Sequence, residues 1–469
     1  MEDLHVCPAD DGIFIIQMNY LKSMIEQNTF DNICFKPDTL ILGCNKAIKD
    51  IKNGDSVIGY DGEPNTVMKT MSRMYKGDMI RIDTKYLEDI VCTPEHPLLV
   101  VKKEKTRFDC GQFKPKHKRS SLDPEWIDAK DLKRGDYLVV PRLKPKTNMS
   151  RSIDLREFNW LHSPNHRRGL YQIPLDEDTA WMMGLYVAEG HPGGRENNRY
   201  IDFTLNKNEI WYINKLDTIV KTLGYTLQKI PNNINGGINL RIVCSALTRA
   251  FEKWFKKGAL NKQIPDFLLH ASDNIRQAFL RGLFDGDGYN KGNKIHLHTS
   301  SRILVYQVQL MLASLGEMVG ISWSGGRISI IRGMEVLAKE SCQLRGSSRG
   351  LSLIFDYEYD DRGFAPIHII KDDEFVYIPI KEISNEFYEG EVCNIETENN
   401  TYLVNNAVVH NCNERLCYYN IRDVVALVKR TGLTVIDAQL NDVNGGSVRL
   451  YIQSSLPSRP DGRSDTATR

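Results

Sequence analysis

Between residues 34 and 142 apolar and polar positions alternate with a period of two in short stretches: TLILG, DSVIGYDGE, DMIRIDT, IVCTPEH and DYLVVPR. Gly and Asp turns punctuate them. That period puts every second side chain on one face of a strand, so the segment predicts an all-β module. The same alternation returns at FVYIPI, GEVCNIET and TYLVNNAVV. Between the two β segments, a stretch rich in Lys, Arg and Pro at about 143–175 leads into a mixed αβ region. Residues 1–33 predict a strand, a helix and a turn. Residues 412–455 predict a helix over RDVVALVKRTG and strands over TVIDAQL and SVRLYIQ, and the tail SSLPSRPDGRSDTATR is polar enough to predict disorder. The pattern divides the chain into 1–33, 34–142, 143–365, 366–411 and 412–469.

The αβ region contains an internal repeat. WMMGLYVAEG (181–190) and FLRGLFDGDG (279–288) align on Gly184 and Gly282. Each is followed by a strand (YIDFTL; KIHLHT), a helix ending in Leu-Gly, and further strand-like sequence. Two equivalent halves are therefore expected to pack as a pseudo-dimer within one chain. Each apolar helix ends in an acid and a glycine, Glu189-Gly190 and Asp287-Gly288. Glycine there reads as a helix stop. A carboxylate fits that place poorly, because a helix C-terminus already carries partial negative charge. Small residues at Gly184, Ala188, Gly282 and Gly286 let two such helices approach side by side, bringing Glu189 and Asp287 to one end. An acidic pair of that kind calls for a divalent cation, and Mg²⁺, which binds one or two carboxylates plus phosphate oxygens and water, is the expected metal at Glu189 and Asp287. Two metal-bound acids point to in-line phosphodiester hydrolysis.

Composition adds limits. The chain of 469 residues is 41% hydrophobic and 26% charged, as in an ordinary globular protein. No apolar run is long enough to span a bilayer and the N-terminus has no secretory pattern, so no membrane partner and a cytoplasmic location are expected. Ten scattered cysteines without a CxxC pair fit a reducing compartment rather than a zinc site or a disulfide framework. The net charge of +1 hides an asymmetry: residues 101–120 carry eight Lys/Arg against two acids, and 355–400 carry three against thirteen. The basic run is a hint of nucleic-acid contact, more often a solvated loop.

The repeated helices resemble the paired motifs of LAGLIDADG homing endonucleases, over about 175–340. In that family the last acid of each motif binds metal, which falls on Glu189 and Asp287, and the segment similar to KQIPDFLL supplies a catalytic lysine, here Lys262. The resemblance implies a duplicated αββαββα fold acting as a monomer on double-stranded DNA, its β-ribbons in the major groove. Arg167, Arg168, Lys207 and Arg195 are candidate phosphate contacts.

The flanking β segments hold a second constellation: Cys34 at the start, Thr93 and His96 in VCTPEHPLL, and His410, Asn411 and Cys412 at VVHNC. Each has an ordinary structural reading alone, as a buried cysteine, a turn and a polar loop end. Jointly they supply what a peptide-bond rearrangement needs. The Cys34 thiol can attack the Ile33 carbonyl, with Thr93 polarising that carbonyl and His96 protonating the leaving nitrogen. Cys412 can take over the acyl group, and Asn411 can cyclise with help from His410. The set resembles inteins with cysteine nucleophiles at both junctions, over 34–142 and 366–411, which implies the Hint β-fold and no cofactor for splicing. Two positions depart from that pattern: Asn394 stands where an aspartate is usual, and Asn400 where a histidine is frequent. Because the splicing and nuclease residues fall in different segments, the two activities are expected to be separable.

Deleting 34–411 joins NTFDNI to CNERLCYYNIRDVVALVKRTGLTVIDAQL. The flanks are each too small for a good core, but joined they read as one α/β stretch. That stretch resembles the C-terminal part of S-adenosylmethionine-dependent sugar C-methyltransferases. The family's His-Glu-His is here Asn413-Glu414-Arg415, and no glycine-rich cofactor loop follows a strand in the flanks. The host is expected to use S-adenosylmethionine only if a complementary methyltransferase segment completes it. The fold class expected is thus multidomain: an all-β Hint domain interrupted by an α+β endonuclease and flanked by α/β methyltransferase fragments. Competing readings are a splicing-dead relic, a methyltransferase with a large DNA- or protein-binding insertion, and a free-standing endonuclease with decorative flanks.

Overall fold

The alternating segments are strands in the computed structural model. It describes residues 6–8, 14–16, 34–106, 122–146, 152–158, 172–195, 198–231, 236–291, 294–325, 327–331, 334–338, 340–355, 370–411, 425, 428–430, 433–441 and 447–454. The chain divides into two units, Ile33–Cys412 and a second formed by Met1–Asn32 with Asn413–Arg469. In the second unit, Val6–Pro8 pairs antiparallel with Phe14–Ile16, and Leu433–Asn441 with Ser447–Ser454. The strands expected at TVIDAQL and SVRLYIQ are this last hairpin, and the segment expected as helix is helical at residues 428–430. The helix expected within 17–33 lies outside the described residues.

After short strands at Leu40–Ile41, Lys46–Ala47 and Ser56–Ile58, the unit Ile33–Cys412 continues through β1 (Pro64–Thr84), β2 (Ile90–Cys92), β3 (Pro97–Val101), β4 (Glu125–Asp128) and β5 (Tyr137–Pro141). An αβ region follows. Its first half is α1 (Glu177–Glu189), β6 (Gly190–Arg195), β7 (Asn198–Asn206), α2 (Ile210–Thr222), β8 (Leu227–Pro231), β9 (Gly237–Val243) and α3 (Ser245–Phe255). Its second half is α4 (Asp273–Asp287), β10 (Gly288–Lys291), β11 (Lys294–Thr299), α5 (Arg302–Ser314), β12 (Gly320–Ser324), β13 (Ser341–Ser347) and α6 (Ser348–Phe355). The chain then returns through β14 (Phe375–Thr397), β15 (Thr401–Val404) and β16 (Ala407–His410).

The two halves of the αβ region have equivalent antiparallel sheets, in the orders β6-β7-β9-β8 and β10-β11-β13-β12. Each half runs helix, two strands, helix, two strands, helix, the order the resemblance implies; the second also carries a hairpin, Arg327–Ile331 with Met334–Ala338. The outer β strands form one sheet in which β15, β16, β3, β5, β14 and β1 are successive neighbours. Residues 98–101, 138–141 and 401–404 are wholly buried, which places this core inside the β module. β14 changes partner part way. Phe375–Pro379 pairs with β5, Ile380–Thr397 pairs with β1, and a bulge between Ile380 and Glu382 marks the change.

Candidate active sites

Cys34 enters the sheet beside β2 and β14, because Phe35 makes isolated bridges to both Cys92 and Cys393. This fixes Cys34 against the TPEH turn. Thr93 Oγ1 accepts from the Cys34 backbone N–H at 2.8 Å and lies 3.4 Å from the Cys34 carbonyl oxygen, to which the Thr93 N–H donates at 3.0 Å. The Cys34 thiol packs with Met79 and Val392. Burial pushes it up, and the Arg73 guanidinium beside it pulls it back toward the thiolate. Arg73 lies opposite Val392 in the β1–β14 ladder and over the Tyr75 ring; sequence reasoning missed it, since only the pairing of strands far apart in the chain brings it there.

His96 is fully buried, with its ring 4.2 Å from that of Phe35 and no hydrogen-bond partner for either ring nitrogen among the described residues. Desolvation, then the nearby His410, lowers it to about 3. It is therefore a neutral imidazole at ordinary pH. The last strand brings His410 and Asn411 to the same sheet: β16 pairs with β15 and, at Val409, with Leu98 of β3. His410 Nδ1 lies 2.9 Å from the Asn411 carbonyl oxygen. Asn411 is fully buried, and its Nδ2 donates to the Thr397 carbonyl and to Asn400 Oδ1, both at 3.3 Å. Asn400, a departure from the resembled pattern, thus touches the Asn411 side-chain amide directly. Asn394 Oδ1 accepts from Tyr402 Oη at 2.6 Å and from the Ile395 N–H at 2.7 Å. Cys412 and Ile33 lie outside the described residues.

The second constellation forms where α1 and α4 pack in parallel. α1 starts at a capping box, Asp176 with Thr179, and both helices end at the carboxylates the repeat predicts. A Cβ at Gly184 would lie 2.0 Å from the Phe279 carbonyl oxygen, and one at Gly282 would lie 2.0 Å from that of Trp181. Only hydrogen at those two positions lets the backbones meet. Both helices stop at the expected glycines. Gly190 and Gly288 have φ of −90° and −84°, and each leads straight into a strand. Glycine is required there because a Cβ would meet the Tyr186 or Phe284 carbonyl oxygen at 2.5 or 2.3 Å.

Burial first, then the Asp287 and Glu209 charges, push Glu189 up to about 7, while Lys262 pulls it down. Burial also raises Asp287, again opposed by Lys262. The Lys262 ammonium donates to the Ala188 carbonyl at 3.0 Å and to the Val187 carbonyl, the free carbonyls at the end of α1. No cluster of three or more His, Cys, Asp or Glu occurs among the described residues. Two carboxylates held toward their neutral forms nevertheless fit a hard divalent cation, which would complete its shell with phosphate and water.

The sheet faces opposite the helices are polar. On one, Arg241 pairs with Asp202 through two 2.7 Å bonds and stacks over Tyr200 at 3.5 Å. On the other, Tyr289 stacks on His296 at 4.9 Å, while Gln343 Nε2 lies 2.7 Å from Tyr289 Oη and 2.8 Å from His298 Nε2. Arg195 and Lys207 are exposed; Arg167, Arg168 and most of the basic run at 101–120 lie outside the described residues. No described helix is long and apolar enough to cross a membrane.

Residues 274–329 match the family model of the LAGLIDADG-like domain, a span running from α4 past β12 into the hairpin strand Arg327–Ile331. An uncharacterized protein of Methanocaldococcus jannaschii is 30% identical over 420 residues, covering 81% of this chain and 50% of that protein. The ATP-dependent DNA helicase Hel308 of Thermococcus kodakarensis is 26% identical over 419 residues, covering 81% of this chain and 36% of the helicase. The chain thus spans half or less of the length of these relatives. Among solved structures, mesophilic variants of the homing endonuclease I-DmoI align with 13% identity and a TM-score of 0.30, covering 39% of this chain and 98% of that one.

Proposed function

We propose that the chain is a precursor from which residues 34–411 excise themselves, joining 1–33 to 412–469, and that the excised segment is a site-specific endonuclease of double-stranded DNA. The observation that carries the splicing reading is the Thr93 hydroxyl, hydrogen-bonded to the Cys34 backbone nitrogen at 2.8 Å while His410 and Asn411 approach on the same sheet. Two relatives support it in outline: each aligns over 81% of the chain, the share that 34–411 makes up, and over half or less of its own length. A segment carried inside longer proteins would align with such shares.

In the first step the Cys34 sulfur attacks the Ile33 carbonyl carbon, a C–S bond replaces the C–N bond, and the thiol proton passes to the departing nitrogen. Neutral His96 relays that proton, and Thr93 orients the nitrogen as it leaves. The Cys412 thiol then displaces Cys34 from the acyl group. Asn411 Nδ2, oriented by Asn400 and the Thr397 carbonyl, closes on its own carbonyl carbon and releases the Asn411–Cys412 bond. His410, as the Nδ1–H tautomer, donates to the oxygen that gains charge. A final shift of the acyl group from sulfur to the Cys412 nitrogen leaves an ordinary peptide bond. Asn411→Ala should stop C-terminal release yet leave cleavage before Cys34 open to added thiol; release that persists in this variant counts against the mechanism.

For the nuclease, Glu189 and Asp287 would hold a divalent cation such as Mg²⁺, which when bound stabilises charge on the scissile phosphate. Lys262 spans the Ala188 carbonyl and the acid pair and supplies positive charge beside them. The polar sheet faces carrying Arg241 and Tyr289 are the DNA-facing surfaces in this reading, with binding that weakens as salt rises. Glu189→Gln and Asp287→Asn should each abolish cleavage of a long DNA carrying the uninterrupted host sequence while retaining binding. Undiminished cutting by the double variant would rule the pair out. The flanks keep only their methyltransferase resemblance, tested by S-adenosylmethionine binding once a cofactor-binding segment is supplied.

A further inference from the structure

The turn that leads into the C-terminal junction is held by the αβ region as well as by the β module. Asn405 and Asn406, with φ of 48° and 69°, form the two-residue loop between β15 and β16. The left-handed backbone explains an asparagine there, but not what its side chain does. Asn406 is fully buried, and its Nδ2 donates to Gln309 Oε1 at 2.8 Å and to the Tyr306 carbonyl at 3.0 Å, both in the middle of α5. Gln309, also fully buried, turns its own Nε2 to the carbonyls of Tyr86 at 2.9 Å and Val319 at 2.8 Å. Asn405 Nδ2 donates to the Asp89 carbonyl at 2.9 Å. The neighbouring Glu88 receives Arg302 at 2.5 Å, Trp323 Nε1 at 3.1 Å and the Tyr306 hydroxyl. Farther along, Arg142 donates to the Ser314 carbonyl at the end of α5 at 3.0 and 3.2 Å.

A buried amide with two partners on one helix is a directional restraint, because leaving it unpaired costs the desolvation of every group involved. β16 is short, and His410 follows Asn406 by four residues along an extended strand. Any tilt of the turn is therefore passed to the His410–Asn411 end. We infer that α5 of the second repeat is part of the splice site: through Asn406 it positions β16 so that Asn411 Nδ2 faces its own carbonyl. The inference rests on the splicing reading. It also replaces the expectation that the two activities separate cleanly when the αβ region is cut out. The active-site acids of that region remain dispensable for splicing; its α5 does not.

The test compares the two junctions in the full chain. Asn406→Gly keeps the left-handed turn and removes only the side chain. It should slow C-terminal cleavage at Asn411 at least tenfold, leave thiol-induced cleavage before Cys34 within twofold of the wild type, and speed hydrogen exchange at residues 408–411. Gln309→Met fills the same space without the acceptor and should give the same split if the glycine variant folds poorly. Lys221→Ala, on the exposed face of α2, should splice at the wild-type rate. Equal slowing at both junctions, or no slowing at either, overturns the positioning role. A wild-type chain that cleaves at neither junction overturns the splicing reading itself, whereas unchanged exchange at 408–411 in Asn406→Gly overturns the brace alone.

Discussion

Acidification tests how His96 is held. The imidazole is fully buried without a hydrogen-bond partner among the described residues, and desolvation lowers it from the ordinary 6.5 to about 3. Between those two values the unfolded chain binds a proton here that the folded chain refuses, so stability falls as pH falls through that window. At pH 4 the position lies ~2.5 units below the ordinary value, and at ~1.4 kcal/mol per unit His96 alone removes ~3 kcal/mol relative to pH 7. The assay is urea unfolding at pH 7 and pH 4 of a cleavage-blocked chain (Cys34→Ala with Asn411→Ala), with and without His96→Gln. Other groups titrate in both chains, so the difference between their losses isolates His96. The His96 chain should lose ~3 kcal/mol more than the His96→Gln chain. Equal losses would show that His96 titrates as an exposed imidazole, and its role as a neutral proton relay in a dry site would fall with that result.

Gly184→Ala forces a methyl carbon to within 2.0 Å of the Phe279 carbonyl oxygen. It should destabilise the αβ region by ~3 kcal/mol or more, since backbone cannot yield as a side chain can, read as a drop in its thermal midpoint; a midpoint within a degree of the wild type would contradict the close helix contact. Arg73→Met removes the charge that draws the Cys34 thiol toward its reactive form. It should shift the pH profile of thiol-induced N-terminal cleavage to higher pH, while Arg73→Lys keeps most of the effect; superimposed profiles would remove Arg73 from the site. Asn400→Ala should slow C-terminal release several-fold without changing N-terminal cleavage, and intact-protein mass spectrometry over time distinguishes that from a uniform slowing.

The features legible in the sequence were those set by local periodicity or by repetition. The helices ending at Glu189 and Asp287 follow from the repeat, and the short strands of 34–142 from their alternation. The close approach at Gly184 and Gly282 was legible from residue size. What the sequence left hidden depends on pairing between distant segments. Arg73 reaches Cys34 because β1 and β14 pair in a register that sets Arg73 against Val392. Asn406 reads locally as a turn residue, and its bond to Gln309 appears only once α5 is folded against the hairpin. Asn400 read as the loss of a histidine, yet its side-chain oxygen Oδ1 accepts from Asn411 Nδ2. Gly190 and Gly288 were legible as helix stops, but not what excludes a side chain there, the Tyr186 and Phe284 carbonyl oxygens.

The most direct test of the splicing claim is the intact mass of the chain purified soon after synthesis and again after incubation at neutral pH with no added factor. The account predicts two products: free 34–411 with a C-terminal succinimide, and a ligated chain in which Ile33 is joined to Cys412 by an ordinary peptide bond. Tandem mass spectrometry across the NTFDNI–CNERL junction would identify that bond. A chain that keeps its full mass throughout, and that gives no cleavage before Cys34 even with excess thiol, would contradict the account.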